Sequence, residues 1–177
     1  MPLVPFEEIT HLFADFEHTA FRLETRRGYA TDREGDRFKA FMRGIDPQPA
    51  PDSPWNTNVR DKAAQGARFS RVRIVDDPPT DGQRFLMAAA SSNIAAGEDI
   101  RVLSRYVAET AGLPDYDFWL FDSRLVARFH IDETDTTVGI EVTEDPADVL
   151  AACRARDTAW PLATPSATVW AQVRSSA

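Results

Sequence analysis

Asp117-Phe118-Trp119-Leu120-Phe121-Asp122-Ser123-Arg124-Leu125-Val126-Ala127-Arg128-Phe129-His130-Ile131 is the most strongly patterned run of the chain. Phe118 to Phe121 form a continuous apolar run between two acids, the pattern of a strand buried on both faces. Ser123-Arg124 reads as a tight turn, and residues 125–131 as the hairpin partner. After the polar loop Asp132–Asp135, residues 136–143 give a third antiparallel strand. Asp145-Pro146-Ala147-Asp148 supplies a cap, a first-turn proline and an acid, so a helix starts there and runs to about Trp160.

Working outward from this βββα unit, residues 68–75 (Arg-Phe-Ser-Arg-Val-Arg-Ile-Val) predict a strand that turns either Phe69, or Val72 and Ile74, to a core. Ser53-Pro54 opens a helix that Gly66 closes. Residues 80–90 predict a further helix, 100–103 a short strand, and Ser104 the cap of a two-turn helix. At the N-terminus, Phe6, Ile9, Phe13 and Phe16 share a helical stripe, Thr19–Thr25 alternates as a strand, and Asp32 to Arg43 predicts a second helix. Four prolines between Asp46 and Pro54 make a connector that regular structure cannot include. The expected fold class is α+β, with a mixed, largely antiparallel sheet and flanking helices. The expected organisation is one domain over 1–177: an N-terminal subdomain (1–45), the Pro-rich connector (46–54), the α+β body (55–162) and a tail (163–177).

The chain has 177 residues, enough for one hydrophobic core without disulfides or metal. A single cysteine, Cys153, excludes a disulfide scaffold and cysteine-ligated zinc. The N-terminus lacks a signal peptide and no run is long enough to span a bilayer, so a cytoplasmic protein without membrane attachment is expected. Net charge is −8, which argues against direct nucleic-acid binding. That charge is local: 106–148 holds eleven acidic residues and two basic ones. Arginine greatly outnumbers lysine, a mark of a GC-rich genome.

Recognisable chemistry is sparse. His11 and His18 belong to the first helix region, and His130 precedes an acidic loop that lacks the glycine and terminal glutamate of an EF-hand; no metal set is completed. No nucleophile elbow or phosphate-binding glycine loop occurs, and Cys153 lies within a helical apolar pattern. No cofactor is expected. Two groups stand out as candidate sites. Arg22, Arg71, Arg73 and Arg101 alternate on strands and, with Glu98, Asp99 and Trp119, would form a row able to take an anion, or the arginines pair with Glu24, Glu98 and Asp99. Asp115, Asp117, Asp122, Asp132, Glu133 and Asp135 would form an acidic surface for a basic partner.

The segments Phe16-Glu17-His18-Thr19-Ala20-Phe21-Arg22-Leu23-Glu24, Ala96-Gly97-Glu98-Asp99-Ile100-Arg101, Asp117 to Arg124 and Glu144-Asp145-Pro146 resemble an actinobacterial family of uncharacterised domains, domains of unknown function found near XRE-type helix-turn-helix regulators. The helix–Gly66–strand pattern and the later hairpin resemble one half of a phospholipase-D-like domain. The catalytic signature His-x-Lys-x-x-x-x-Asp of that fold aligns with Asp115-Tyr116-Asp117-Phe118-Trp119-Leu120-Phe121-Asp122, which keeps only the last Asp. The resemblance implies a degenerate copy. The expectation is therefore a non-enzymatic regulatory or protein-interaction domain that modulates a helix-turn-helix regulator, with an anion-binding or small-molecule sensor as the alternative and a homodimer as a further arrangement.

Overall fold

The computed structural model describes residues 2–176. A 3-10 turn (Phe6–Ile9) and a single helical turn α1 (Leu12–Asp15) lead into β1 (Thr19–Glu24). Then come α2 (Ala30–Glu34), α3 (Asp36–Phe41), α4 (Pro54–Ala64), β2 (Arg68–Val75), α5 (Asp81–Ala89), α6 (Ser91–Ala96), β3 (Asp99–Ser104) and α7 (Arg105–Thr110). The chain closes with β4 (Phe118–Phe121), β5 (Leu125–Ile131), β6 (Thr137–Thr143), α8 (Pro146–Leu162), β7 (Thr164–Pro165) and α9 (Ser166–Ser175).

The strands form one sheet in the order β6-β5-β4-β1-β2-β3-β7. β1, β2 and β3 run parallel, and every other pairing is antiparallel. The α+β class and the mixed sheet are thus as the sequence implies. β1 sits at the switch, parallel to β2 on one side and antiparallel to β4 on the other.

Both faces of the sheet are covered, which is why β1 and β4 are buried along nearly their whole length. Alternation divides each strand between the two faces. Phe21 and Leu23 of β1, Val72 and Ile74 of β2, and Phe118 and Leu120 of β4 face α8, which presents Ala152, Ala155 and Ala159. These small residues let the long helix lie close to the sheet. On the opposite face Ala20, Phe69, Trp119, Phe121 and Phe129 meet Ile9, Phe13, Phe16 and Val59 from the N-terminal turns and α4. Phe69 and the Val72/Ile74 pair therefore both face a core, on opposite sides of the sheet.

Four local expectations differ. The N-terminal stripe is split between the 3-10 turn and α1, and the helix over 32–43 breaks at Gly35, whose extended backbone (ψ 149°) separates α2 from α3. The hairpin turn centres on Asp122 and Ser123, both at positive φ (49° and 52°), and Arg124 N–H donates to the Phe121 carbonyl. The last residues form structure: β7 pairs with β3, and α9 packs Val169, Trp170 and Val173 against Val75, Met87 and Val102. No helix among the described residues is long and apolar enough to cross a membrane.

Candidate functional site

The face that carries Ala20, Phe69 and Trp119 also carries charge. Arg22 and Glu24 occupy its next two positions on β1, and Arg71 and Arg73 occupy the register-matched positions on β2. Arg22 thus stands directly beside Arg71, a juxtaposition that is unfavourable without counter-charge. Glu24 supplies part of it, accepting from Arg71 Nη1 at 2.6 Å and from Arg73 Nε at 2.5 Å. Glu98, turned inward by the left-handed Gly97 at the end of α6, accepts from Arg71 Nε at 2.7 Å, from the Trp55 indole at 3.0 Å and from Asn93 at 3.2 Å. Asp117, just ahead of β4, accepts from Arg22 Nη2 (2.9 Å), the Tyr29 hydroxyl (2.6 Å), and the Thr25 N–H (2.7 Å) and hydroxyl (2.9 Å). All six charged side chains are buried or nearly so. Three guanidiniums and three carboxylates balance one another, as a buried cluster requires.

Burial pushes the Glu24 carboxyl up, but Arg71, Arg73 and Arg22 outweigh it and hold the group far below the usual carboxylate range. Burial lowers the Arg71 guanidinium's affinity for its proton, yet Glu24 and Glu98 raise it above its already high value. The Tyr29 phenol is pushed well up by burial and by the nearby Glu24 and Asp117 carboxylates, so it stays a hydrogen-bond donor.

An open cleft of about 360 Å³ lies over this cluster, lined by Phe13, Trp55, Trp119 and Phe129 together with Arg22, Arg71 and Glu24. The aromatic rings are not a random packing. Phe13 stands edge-on to both Trp55 (5.5 Å) and Trp119 (5.2 Å). The Arg22 guanidinium lies 4.2 Å from the Phe129 ring centroid, and Arg71 lies 5.5 Å from that of Trp119. Two donors of this pair are left over. Arg22 Nε is buried and makes no hydrogen bond, its nearest carboxylate oxygen being 3.5 Å away on Glu24. Arg71 Nη2 donates to no group among the described residues. The site therefore holds guanidinium donors not consumed by the ion pairs, over a floor of packed rings at whose edge Trp55 is half-buried and Phe6 exposed.

Asp32, on α2, lines the same cleft. Its carboxyl has no hydrogen-bond partner among the described residues, and burial, then the Glu24 charge, push its pKa up. Two carboxylates of one cleft, Glu24 and Asp32, are thus driven in opposite directions, the arrangement that separates a fixed charge from a proton carrier.

The structure brings Arg22, Arg71, Arg73, Glu98 and Trp119 of the expected row together. It sends Arg101 and Asp99 to the opposite face, because β3 turns Ile100 and Val102 rather than Arg101 toward the cleft side. There Arg101 pairs with Asp99 and covers the Trp160 ring at 3.9 Å. Glu24, Tyr29, Asp32, Trp55 and Asn93 complete the cleft and were missed as site residues. Glu24 was legible only as a partner of the arginines, a pairing that Arg71 and Arg73 make with it; Asp32 and Asn93 carry no local signal.

The expected acidic surface is corrected. Asp117 is buried in the cluster, and Asp122 accepts the N–H groups of Glu17, His18 and Thr19 at 2.7–2.8 Å. Asp132 folds its own loop by accepting from Thr134 and Thr136, and Asp135 pairs with Arg26 and Arg33. Only Asp115 and Glu133 of the six stand exposed. Loop formation and core pairing take up these charges before a partner can. His11 and His18 are exposed, His130 approaches Glu141 at 3.5 Å, and Cys153 is half-buried in α8. Among the described residues no three His, Cys, Asp or Glu side chains converge for a metal ion.

The family model described as "Domain of unknown function (DUF6879)" matches residues 7–171. No curated protein matches the chain in sequence. Among solved structures, NucT from Helicobacter pylori, a phospholipase D-like nuclease, is similar in fold: TM-score 0.52 at 9% identity, covering 93% of this chain and 96% of that one. This neighbour corrects the expectation of a regulatory or protein-interaction domain that modulates a helix-turn-helix regulator: the similar fold found is that of a nuclease.

Proposed function

The chain belongs to the DUF6879 family of domains of unknown function, and for this member we propose that the arginine–aromatic cleft is a phosphodiester site with Asp32 as its proton-transfer group. The observation that carries the reading is the pair of unsatisfied guanidinium donors, Arg22 Nε and Arg71 Nη2, set beside an aromatic box. Arginine clamps stabilise the charge that builds on a phosphoryl group during displacement. The three acids already balance the three arginines, so a doubly charged phosphate monoester meets an unfavourable excess. A diester brings a single charge, and a protonated Asp32 adds none.

The route differs from that of the phospholipase-D signature. Its histidine and lysine positions are Asp115, which is exposed, and Asp117, which is locked to Arg22. The chemistry that fits this cleft is direct attack of water on phosphorus. The bond to one ester oxygen breaks, Asp32 gives its proton to that oxygen, and the proton shed by the water restores Asp32. The products are an alcohol and a phosphate monoester.

The test uses methyl phenyl phosphate, whose phenol leaving group needs a proton. The wild type releases phenol, and Asp32→Asn lowers the rate about 10²- to 10⁴-fold, the usual contribution of a positioned acid. Equal rates in the two proteins, or none above buffer, contradict the proposal.

A further inference from the structure

The α8 face of the sheet is open at one end. A hollow of about 460 Å³ lies there, between the first residues of the parallel strands and the last turns of α8. Register builds its floor. Thr19 of β1 stands beside Arg68 of β2, and the next row runs Phe21, Ser70 and Asp99 across β1, β2 and β3. Alternation turns these side chains to the same face as Leu23 and Val72. Thr19 and Ser70 are small where Leu23 and Val72 are large, so the space over the strand starts is left unfilled. From α8, Arg156, Asp157 and Trp160 form the facing wall. Most of the charge around the hollow is spent. Arg156 donates through Nε to Asp157 and through Nη1 to the Ser123 hydroxyl, both at 2.8 Å. Arg101 pairs with Asp99 at 3.3 Å and lies over the Trp160 ring. Arg68 differs: its guanidinium makes no hydrogen bond, ion pair or ring contact among the described residues. The half-buried hydroxyls of Thr19 and Ser70 beside it also have no hydrogen-bond partner among those residues.

We propose that this hollow is a second binding site, for a singly charged organic acid: a carboxylate on a compact apolar body. The charge follows from the pairing. The Arg156–Asp157 and Arg101–Asp99 pairs cancel, and Arg68 remains as one cation without a carboxylate. A monoanion balances it, and a dianion brings an excess. The carboxylate follows from the fork. Two parallel N–H bonds from one guanidinium match its two oxygens. Arg68 has its whole fork free, whereas Arg156 has two nitrogens engaged. The Thr19 and Ser70 hydroxyls can donate to the lone pairs that the fork leaves over. The apolar body lies against the half-buried Trp160 and the exposed Pro161, where covering apolar surface is the gain. The hollow falls within the size of small-ligand clefts, roughly 300–1,000 Å³.

Three probes test the site, each titrated calorimetrically into the full chain at pH 7: benzoate, benzamide and acetate. Benzoate binds. Benzamide keeps the shape without the charge, and acetate keeps the charge without the body. Each binds about tenfold or more weakly than benzoate. Arg68→Gln removes the fork and lowers benzoate affinity to that of benzamide. Arg68 is exposed and unpartnered, so this change leaves the fold intact, which a thermal melt checks. No binding of benzoate, acetate binding as tightly as benzoate, or benzoate binding undiminished in Arg68→Gln overturns the inference. None of these outcomes bears on the phosphodiester reading, since Arg68 lies on the opposite face of the sheet from the Arg22–Arg71 cleft.

Discussion

Glu24 holds two arginines, Arg71 and Arg73, in place on one face of the sheet. Changing it to Gln keeps the shape and removes the charge, leaving Arg71 with Glu98 alone and the buried Arg73 with no carboxylate. Breaking a buried pair in this way costs about 3–5 kcal/mol, and urea unfolding at neutral pH reads the loss directly. Asp122 is a different kind of anchor. Burial pushes its carboxyl up, but the three N–H groups of residues 17–19 outweigh that and hold it low. A depressed folded-state value gives stability that is present above the ordinary Asp pKa and is lost as pH falls through it. Asp122→Ala is therefore expected to lose about 1–3 kcal/mol at pH 7 and to flatten the acid limb of the stability curve. Asp32 has the opposite sign. Its raised value means the folded chain holds the proton more tightly than the unfolded one. Its contribution is full at low pH and fades as pH rises. Asp32→Asn should accordingly gain stability on the wild type between pH 4 and pH 7, measured by thermal melts; a loss that grows with pH contradicts the assignment.

At the scale of elements, the cleft is roofed by a short stretch that has little core of its own. α2 and α3 bury no residue fully, and they are held by the loop between β5 and β6. Arg26 and Arg33 both reach Asp135, and each also donates to a loop carbonyl, Asp132 or Thr134. Asp135→Ala should speed amide exchange over 30–41 and leave the strands protected, because local opening follows the weakest supports. The same stretch is pinned from below at Gly82. A Cβ there would come within 2.5 Å of the Arg27 carbonyl oxygen and 2.8 Å of Gly28 Cα, both backbone. Gly82→Ala is thus expected to destabilise the chain by about 1–3 kcal/mol, the usual range for forced overpacking. These elements also show where sequence reading reaches its limit. The strands were legible because each alternates or runs apolar, and α8 because Asp145-Pro146 announces it. Asp32 was not, because its role depends on Gly35 ending α2 and on contacts 100 residues away at Asp135. The acidic stretch 106–148 misled for the converse reason: its charges are strongly patterned, but the pattern serves turns, a cap and an internal ion pair.

At the scale of the whole molecule, one sheet separates two kinds of interior. The α8 face carries an apolar core, with Phe21, Leu23 and Val72 packed with the helix's alanines. The α4 face carries the six-charge cluster and the open cleft. The first supplies the stability that lets the second keep unsatisfied donors. Register makes this division unavoidable. Once β1 pairs with β2 so that Arg22 meets Arg71, Arg22, Glu24, Arg71 and Arg73 all fall on one face, while Phe21, Leu23, Val72 and Ile74 fall on the other. The central claim is that this charged face binds a singly charged phosphodiester beside Asp32. Its most direct measurement is calorimetry of methyl phenyl phosphate at about pH 5, above the ordinary Asp value, in buffers of different ionisation enthalpy. The arriving anion raises the Asp32 pKa further, so binding takes up a proton in the wild type and none in Asp32→Asn. Binding heats that are the same in every buffer, or proton uptake that survives in Asp32→Asn, would contradict it.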